Sequence, residues 1–217
     1  MKLKKIASLA LAGVMAVSML AGCSGNGSNG DNNNGGNTVV EPSTSSIVTA
    51  FNNGQDEDNK VKVTFSSDAS LDAALQKAGK EVGSSASEIS VLNYVVSLMG
   101  KFYDSVDSFA DAETPDGNIA DKQSKTTIGV MLLESADYWT EKDAVSAAAR
   151  DVDDLIATLA TDNKNSNGEN DTVGEKYYTF DYTGTVSMVS VAQESGATNY
   201  YVVFTITQTA AQQTVKA

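Results

Sequence analysis

The last quarter of the chain alternates, residue by residue, between side chains that leave water and side chains that keep it. Tyr178, Phe180 and Tyr182 alternate with Tyr177, Thr179 and Asp181, and Thr185 to Gln193 continues as a strand. Tyr200, Val202, Phe204 and Ile206 then fall on one face, with Tyr201, Val203, Thr205 and Thr207 on the other. A period of two is the signature of strands with one buried face. Thr183-Gly184 and Glu194-Ser195-Gly196-Ala197 supply turn chemistry between the runs. The reading is an antiparallel meander, with Tyr200, Val202, Phe204 and Ile206 facing inward and a polar tail that frays from Thr209. Such a sheet must find helices to cover its apolar face.

The preceding residues supply them. Val61, Val63 and Phe65 alternate in a first strand. Ser67 to Ser70 offers N-caps, and Leu71, Leu75, Ala78 and Val82 recur at helical spacing. A longer helix is expected from Ala86 to Ala110. Ile89, Leu92, Val96, Met99, Tyr103, Val106 and Ala110 form its stripe, widened by Val95, Phe102 and Phe109. So broad a stripe predicts a central core helix. Asp104, Asp107 and Asp111 share its other, solvated side. Thr114-Pro115-Asp116-Gly117 reads as a turn. The β-rich run Thr126 to Leu133 predicts a strand buried on both faces. Thr140 caps a third helix, from Glu141 to Ala160, with Val145, Ala148, Val152, Leu155 and Leu159 on one side. The expectation is an α+β fold in two layers. A largely antiparallel sheet of about five strands carries three helices on one face, in the order β-α-α-β-α-β-β-β.

The N-terminus follows different rules. Lys2, Lys4 and Lys5 precede an apolar run from Ile6 to Leu20, shorter than the ~20 residues a membrane-spanning helix needs. Leu20-Ala21-Gly22-Cys23 closes it. These features resemble the lipobox and signal peptide of bacterial lipoproteins. The resemblance implies that residues 1–22 are removed and that Cys23, the only cysteine, carries lipid. More than one acyl chain is what stable anchoring requires. Ser24 to Asn37 contains only Ser, Gly, Asn and Asp, and reads as flexible coil continuing to about Asn59, with a weak interruption at Ile47 to Phe51. At ~5–6 Å per square root of residue number, such a leash reaches ~30–36 Å. It looks like the tethers of Gram-positive lipoproteins. The domain plan is signal peptide 1–22, lipidated Cys23 and tether 23–59, a single α+β domain 60–210, and a polar tail 211–217. The implied location is extracytoplasmic, at the outer face of the bacterial cell membrane.

The net charge of −13 argues against nucleic acid as a partner, since that needs a basic face. Loss of the signal would remove three lysines and leave the rest more acidic still. No histidine is present, which removes His-based triads and most zinc sites. An acylated Cys23 leaves no thiol nucleophile. The motifs Ser-x-x-Lys, Gly-x-Ser-x-Gly and the Walker glycine loop are missing from the sequence.

Two stretches suggest ligands. Asn163 to Asp171 resembles the start of an EF-hand calcium loop, with Gly168 at its sixth position, but position twelve is Gly174 where a bidentate Glu is needed. Outward tyrosines, with Trp139, could stack on sugar rings. The sequence reading is therefore a membrane-anchored, non-catalytic binding or interaction module. Its partners are the membrane, through the anchor, and a protein or cell-wall ligand; no cofactor is expected. A carbohydrate- or calcium-binding lipoprotein is the alternative, and a carboxylate-based hydrolase the remote one.

Overall fold

The alternation read from Lys176 becomes two strands of seventeen residues, not three shorter ones. In the computed structural model these are Lys176–Ala192 and Thr198–Thr214. The structure describes residues 39–40, 44–82, 86–104, 124–134, 137, 140–163, 172–193 and 195–216. The lipobox with Cys23, residues 24–38, the turn at 114–117, Tyr138 and Trp139 lie outside the described residues. In chain order the elements are β1 (Val39–Val40), α1 (Thr44–Asn53), β2 (Val63–Ser66), α2 (Ala69–Val82) and α3 (Glu88–Met99). β3 (Ser124–Leu133), α4 (Glu141–Ile156), β4 (Lys176–Ala192) and β5 (Thr198–Thr214) complete the order.

The fold is α+β, with one five-stranded sheet. β4 and β5 pair antiparallel along their whole length, and β3 pairs antiparallel with β5. β1 and β2 share the far side of β4, β1 antiparallel and β2 parallel. Among the described residues two pairings depart from the antiparallel expectation, β2 with β4 and the isolated bridge of Asp104 to Thr127.

The expected turn at Thr183-Gly184 is mid-strand instead. Gly184 pairs with Phe65, and a Cβ there would lie 2.5 Å from the Phe65 ring. This glycine makes room for an aromatic ring crossing from β2, so the chain has no reason to turn. Gly129 does the same on β3, where a Cβ would meet Phe204 at 2.4 Å. Phe51 closes the group, edge-on to Phe65 with centroids 5.1 Å apart, and 6.5 Å from Phe204. The turn at Gly196 (φ +85°) forms as expected, with the Gly196 amide donating to Gln193 O.

Helices cover both faces of the sheet, not one. Even-numbered residues of β4 and β5 (Tyr182, Val186, Met188, Val202, Phe204, Ile206) pack with α1, β2 and α4. Odd-numbered residues (Val189, Val191, Tyr201, Val203) pack with α2 and α3. Alternation was legible, but the face read as outward is buried too: Tyr201 and Val203 have no exposed surface.

The folded unit also begins earlier than expected. Ile47 and Phe51, one helical turn apart on α1, are 1% and 2% exposed within the core. The weak apolar interruption is thus an amphipathic helix, and the folded unit begins well before residue 60. At the other end the polar tail does not fray at Thr209. β5 runs to Thr214, and the Val215 amide then donates to Glu175 O.

α2 and α4 begin as their caps predict. The Asp68 carboxylate accepts from the Ser70 and Leu71 amides at 2.8 and 3.1 Å. Thr140 Oγ1 accepts from the Asp143 amide at 3.2 Å. α4 ends at Ile156, a turn before Ala160.

Candidate functional site

The sheet has two outer edges, and side chains close each differently. At β2, Asn52 and Gln55 from the end of α1 stand in for a missing strand. Asn52 Nδ2 donates to Phe65 O at 2.9 Å, while Phe65 N donates to Asn52 Oδ1 at 2.8 Å. Gln55 repeats the pattern on Val63, at 2.6 Å to its carbonyl and 2.9 Å from its amide. At β3 the closing groups are carboxylates. Glu88 Oε1 accepts from Leu132 N at 2.8 Å, and Asp104 Oδ2 accepts from Thr126 N at 3.0 Å. β3 is thus an edge strand, not one buried on both faces: between Thr127 and Leu133, both buried, its side chains are only half-buried.

α3 lies beside that edge. Ser87 is its N-cap and accepts from the Ser90 amide; Gly100, at φ +60°, ends it by donating to Val96 O. The helix expected to run to Ala110 stops at Met99, where the left-handed glycine breaks it. Its role also differs from that of a central core helix. Val91 and Val95 are fully buried against the sheet. Ile89 is 70% exposed, Leu98 is exposed, Leu92, Val96 and Met99 are half-exposed, and Phe102 just beyond the helix is fully exposed. Met99 still packs on the core, and at 100° per residue Leu92, Val96 and Ile89 continue the apolar arc round from it and away from the sheet. The arc is wider than the surface the sheet can cover.

At the start of α3 an open cleft of about 480 Å³ is lined by Ala86, Ser87, Glu88, Leu132, Glu134, Asp137 and Asn199. Tyr201 donates to the carbonyl of Ala86, one of the lining residues, at 3.0 Å. Burial raises the Tyr201 pKa, the Glu134 charge raises it further, and the hydrogen bond to Ala86 opposes both. Asn199 accepts from Gln193 Nε2 at 2.6 Å. Three carboxylates make this cleft attractive to cations. Among the described residues, however, no group of His, Cys, Asp or Glu side chains is arranged to hold a metal ion.

The other half of this sheet face is hydroxyl-lined. Thr126 pairs with Thr207 (Oγ1 to Oγ1, 2.9 Å), Thr185 with Thr205 (2.7 Å) and Ser124 with Thr209 (3.2 Å). These hydroxyls satisfy one another across the strands.

The residues singled out from sequence are scattered. Asn163 Oδ1, the first oxygen of the calcium-like loop, accepts the Tyr178 amide at 2.7 Å, so it serves as a strand contact; residues 164–171 lie outside the described residues. The tyrosines available to stack on sugar are fewer than expected. Tyr178, Tyr182, Tyr200 and Tyr201 are all buried, and Tyr177 is half-exposed. Asp104 caps the β3 edge, while Asp107 and Asp111 lie outside the described residues. Sequence reasoning missed Asn52, Gln55 and Glu88. The available signal was the i, i+4 pair Ile47 and Phe51, which marks a helix ending in amides just before a strand.

Comparison with known proteins found no matching family, no matching curated relative and no matching solved structure. Among the described residues no helix is long and apolar enough to cross a membrane.

Proposed function

We propose that this chain is an extracytoplasmic bacterial lipoprotein, held to the membrane by lipid on Cys23, whose domain docks a protein partner. The observation that carries the docking reading is the apolar arc of α3 that the sheet leaves partly exposed, with Leu92 and Val96 half-exposed, Ile89 70% exposed and Phe102 beyond it. Contiguous exposed apolar surface rimmed by charge marks an interaction site. Glu88, Glu134 and Asp137 lie beside the first turn of this helix. The partner that fits is a protein surface with an apolar ridge and a basic rim.

Two experiments test the two halves. Cys23→Ala should release the protein from the membrane fraction into the medium; retention of the variant would overturn the lipid anchor. A photo-crosslinker at Leu92, on intact cells, should capture one discrete partner, and Ile89→Asp with Val96→Asp should abolish that capture without moving Tm. Unchanged capture by the charged variant would overturn the docking role.

The acidic cleft supports a second reading, a small-ligand binder for cationic molecules. A ligand at 100 times its Kd stabilises the fold by ~2.7 kcal/mol. Melts of the full chain with calcium, polyamines and amino sugars would show this as a shift of several degrees. Flat melts across that panel would remove the reading.

A further inference from the structure

We infer that the hydroxyl-lined half of the sheet is a binding face for a neutral β-1,4-linked glycan chain, gripped by threonine hydroxyls and the Asp181 carboxylate. Directly opposite residues of paired strands share a face and lie ~5 Å apart. The register therefore sets two rows across β4, β5 and β3. One is Asp181, Thr209 and Ser124; the next is Thr183, Thr207 and Thr126. The rows stand two residues apart along the strands, ~7 Å. Among the described residues, the helices on this face pack further along it, at Val189, Val191, Tyr201 and Val203. Asp181, Thr183 and Ser124 are exposed, and Thr126, Thr207 and Thr209 are half-exposed. The Thr185–Thr205 pair marks the inner limit, because Thr205 is only 8% exposed.

Chemistry and charge choose the ligand. A hydroxyl both donates and accepts. Thr126 with Thr207, and Ser124 with Thr209, each hold two protons and spend one on the bond between them. Each pair keeps a proton to give and lone pairs to receive, and Thr183 stands at the end of its row. Such groups match a ligand that is itself made of hydroxyls, because every contact can run in either direction. Asp181 is the only charged side chain in the two rows. A carboxylate accepts from two neighbouring hydroxyls at once, in charge-assisted bonds. A phosphate- or sulfate-bearing polymer would meet no cation there, only a carboxylate of its own sign. The rows also carry no large apolar side chain, which separates this face from the arc of α3. Tyr177 lies on the same side of β4 as Asp181, ~13 Å along the strand, and is half-exposed. Its ring extends the face with a stacking surface. That length suits an extended chain of sugars better than a single ring, and a β-1,4-linked chain runs extended with hydroxyls along both edges.

The test is an NMR titration of the full chain carrying Cys23→Ser, with threonine methyl groups labelled. The probes are cellohexaose and chitohexaose, which differ at one ring position, a hydroxyl against an acetamide. At least one should shift the Thr126, Thr183, Thr207 and Thr209 methyl signals together and saturably. Thr126→Val with Thr207→Val keeps the side-chain shape and removes two hydroxyls, and should weaken binding about tenfold. Thr126→Ser with Thr207→Ser keeps the hydroxyls and should bind as the parent does. Asp181→Asn, at an exposed position where folding is not at stake, should weaken binding severalfold. Ile89→Asp should bind unchanged, since the face does not depend on α3. No saturable shift with either glycan at its highest soluble concentration would overturn the inference. So would shifts confined to residues outside the two rows, or a valine pair and an Asp181→Asn variant that bind as tightly as the parent. Loss of binding in the serine pair would assign the contact to methyl groups, and loss in Ile89→Asp would assign it to α3; either overturns the hydroxyl grip.

Discussion

The two edges of this sheet are closed by opposite chemistries. On β2 the closing groups are amides, which both donate and accept. Asn52 and Gln55 therefore answer the N–H and the C=O of Phe65 and Val63 together. On β3 the side chains are carboxylates, which only accept, and they answer the amides of Leu132 and Thr126, while the carbonyl of Thr126 is met by the main-chain amide of Asp104. The first device completes the sheet and ties α1 to it. The second blocks the ends of the sheet edge and ties the start and end of the α3 region to it. The partner surface proposed on α3 lies beside the second of these edges.

This contrast can be broken at its strong side first. Asn52→Ala with Gln55→Ala removes five hydrogen bonds from partly buried backbone groups, the fifth being Gln55 Nε2 to Phe51 O. At roughly 0.5–1.5 kcal/mol each, the loss should be about 2.5–7.5 kcal/mol. Urea unfolding would measure it, with m unchanged if the native fold is kept. Gly129→Ala tests how tightly β3 sits on the core. Its Cβ would lie 2.4 Å from Phe204, and overpacking of this kind typically loses about 1–3 kcal/mol. Asn52→Asp converts the β2 device into the β3 kind. It keeps the acceptor for Phe65 N and loses the donor to Phe65 O, so it should destabilise by about 1–2 kcal/mol, less than the double alanine variant. Equal losses from Asn52→Asp and the alanine pair would show that the donor half carries the clamp. At β3, Glu88→Ala should change the Tm least, by an amount equivalent to under about 1 kcal/mol, because the bond it removes is exposed.

An alkaline titration sharpens the picture on both sheet faces. Tyr182 donates to Ala160 O on one face, and Tyr201 to Ala86 O, just ahead of Glu88, on the other. Burial is the main cause that raises both pKa values. A phenol whose pKa is higher folded than unfolded contributes stability that is fully present below about pH 10 and is lost as pH rises through the folded value. Urea midpoints should hold steady from pH 7 to 9 and fall above 10. Tyr201→Phe and Tyr182→Phe should each flatten part of that fall.

Much of this arrangement was legible residue by residue. The alternation in Val61, Val63 and Phe65 and along β5, the caps at Asp68 and Thr140, and the turn at Gly196 all follow from local chemistry. The misreadings share a cause. Gly184 reads as a turn because nothing local reveals that Phe65, more than a hundred residues away, lies over it. Ile47 and Phe51 were read as part of a tether because a ten-residue helix is marginal alone; it gains its stability from packing on α4, β2 and β4. The wide stripe of α3 was read as core because a pattern records which side chains are apolar and not how much surface is there to cover them.

The sequence by itself determined the α+β class, the pleated period of the C-terminal strands, the amphipathic helices and the resemblance at Cys23. Each is written in spacings of a few residues, where backbone geometry dictates the outcome. Only the tertiary structure decided that helices flank both faces, that β2 enters in parallel, and which polar side chains close the sheet edges. Those depend on contacts such as Asn52 with Phe65 and Glu88 with Leu132, thirteen and forty-four residues apart. Their partners are set by where the chain returns in space, and no local period encodes that.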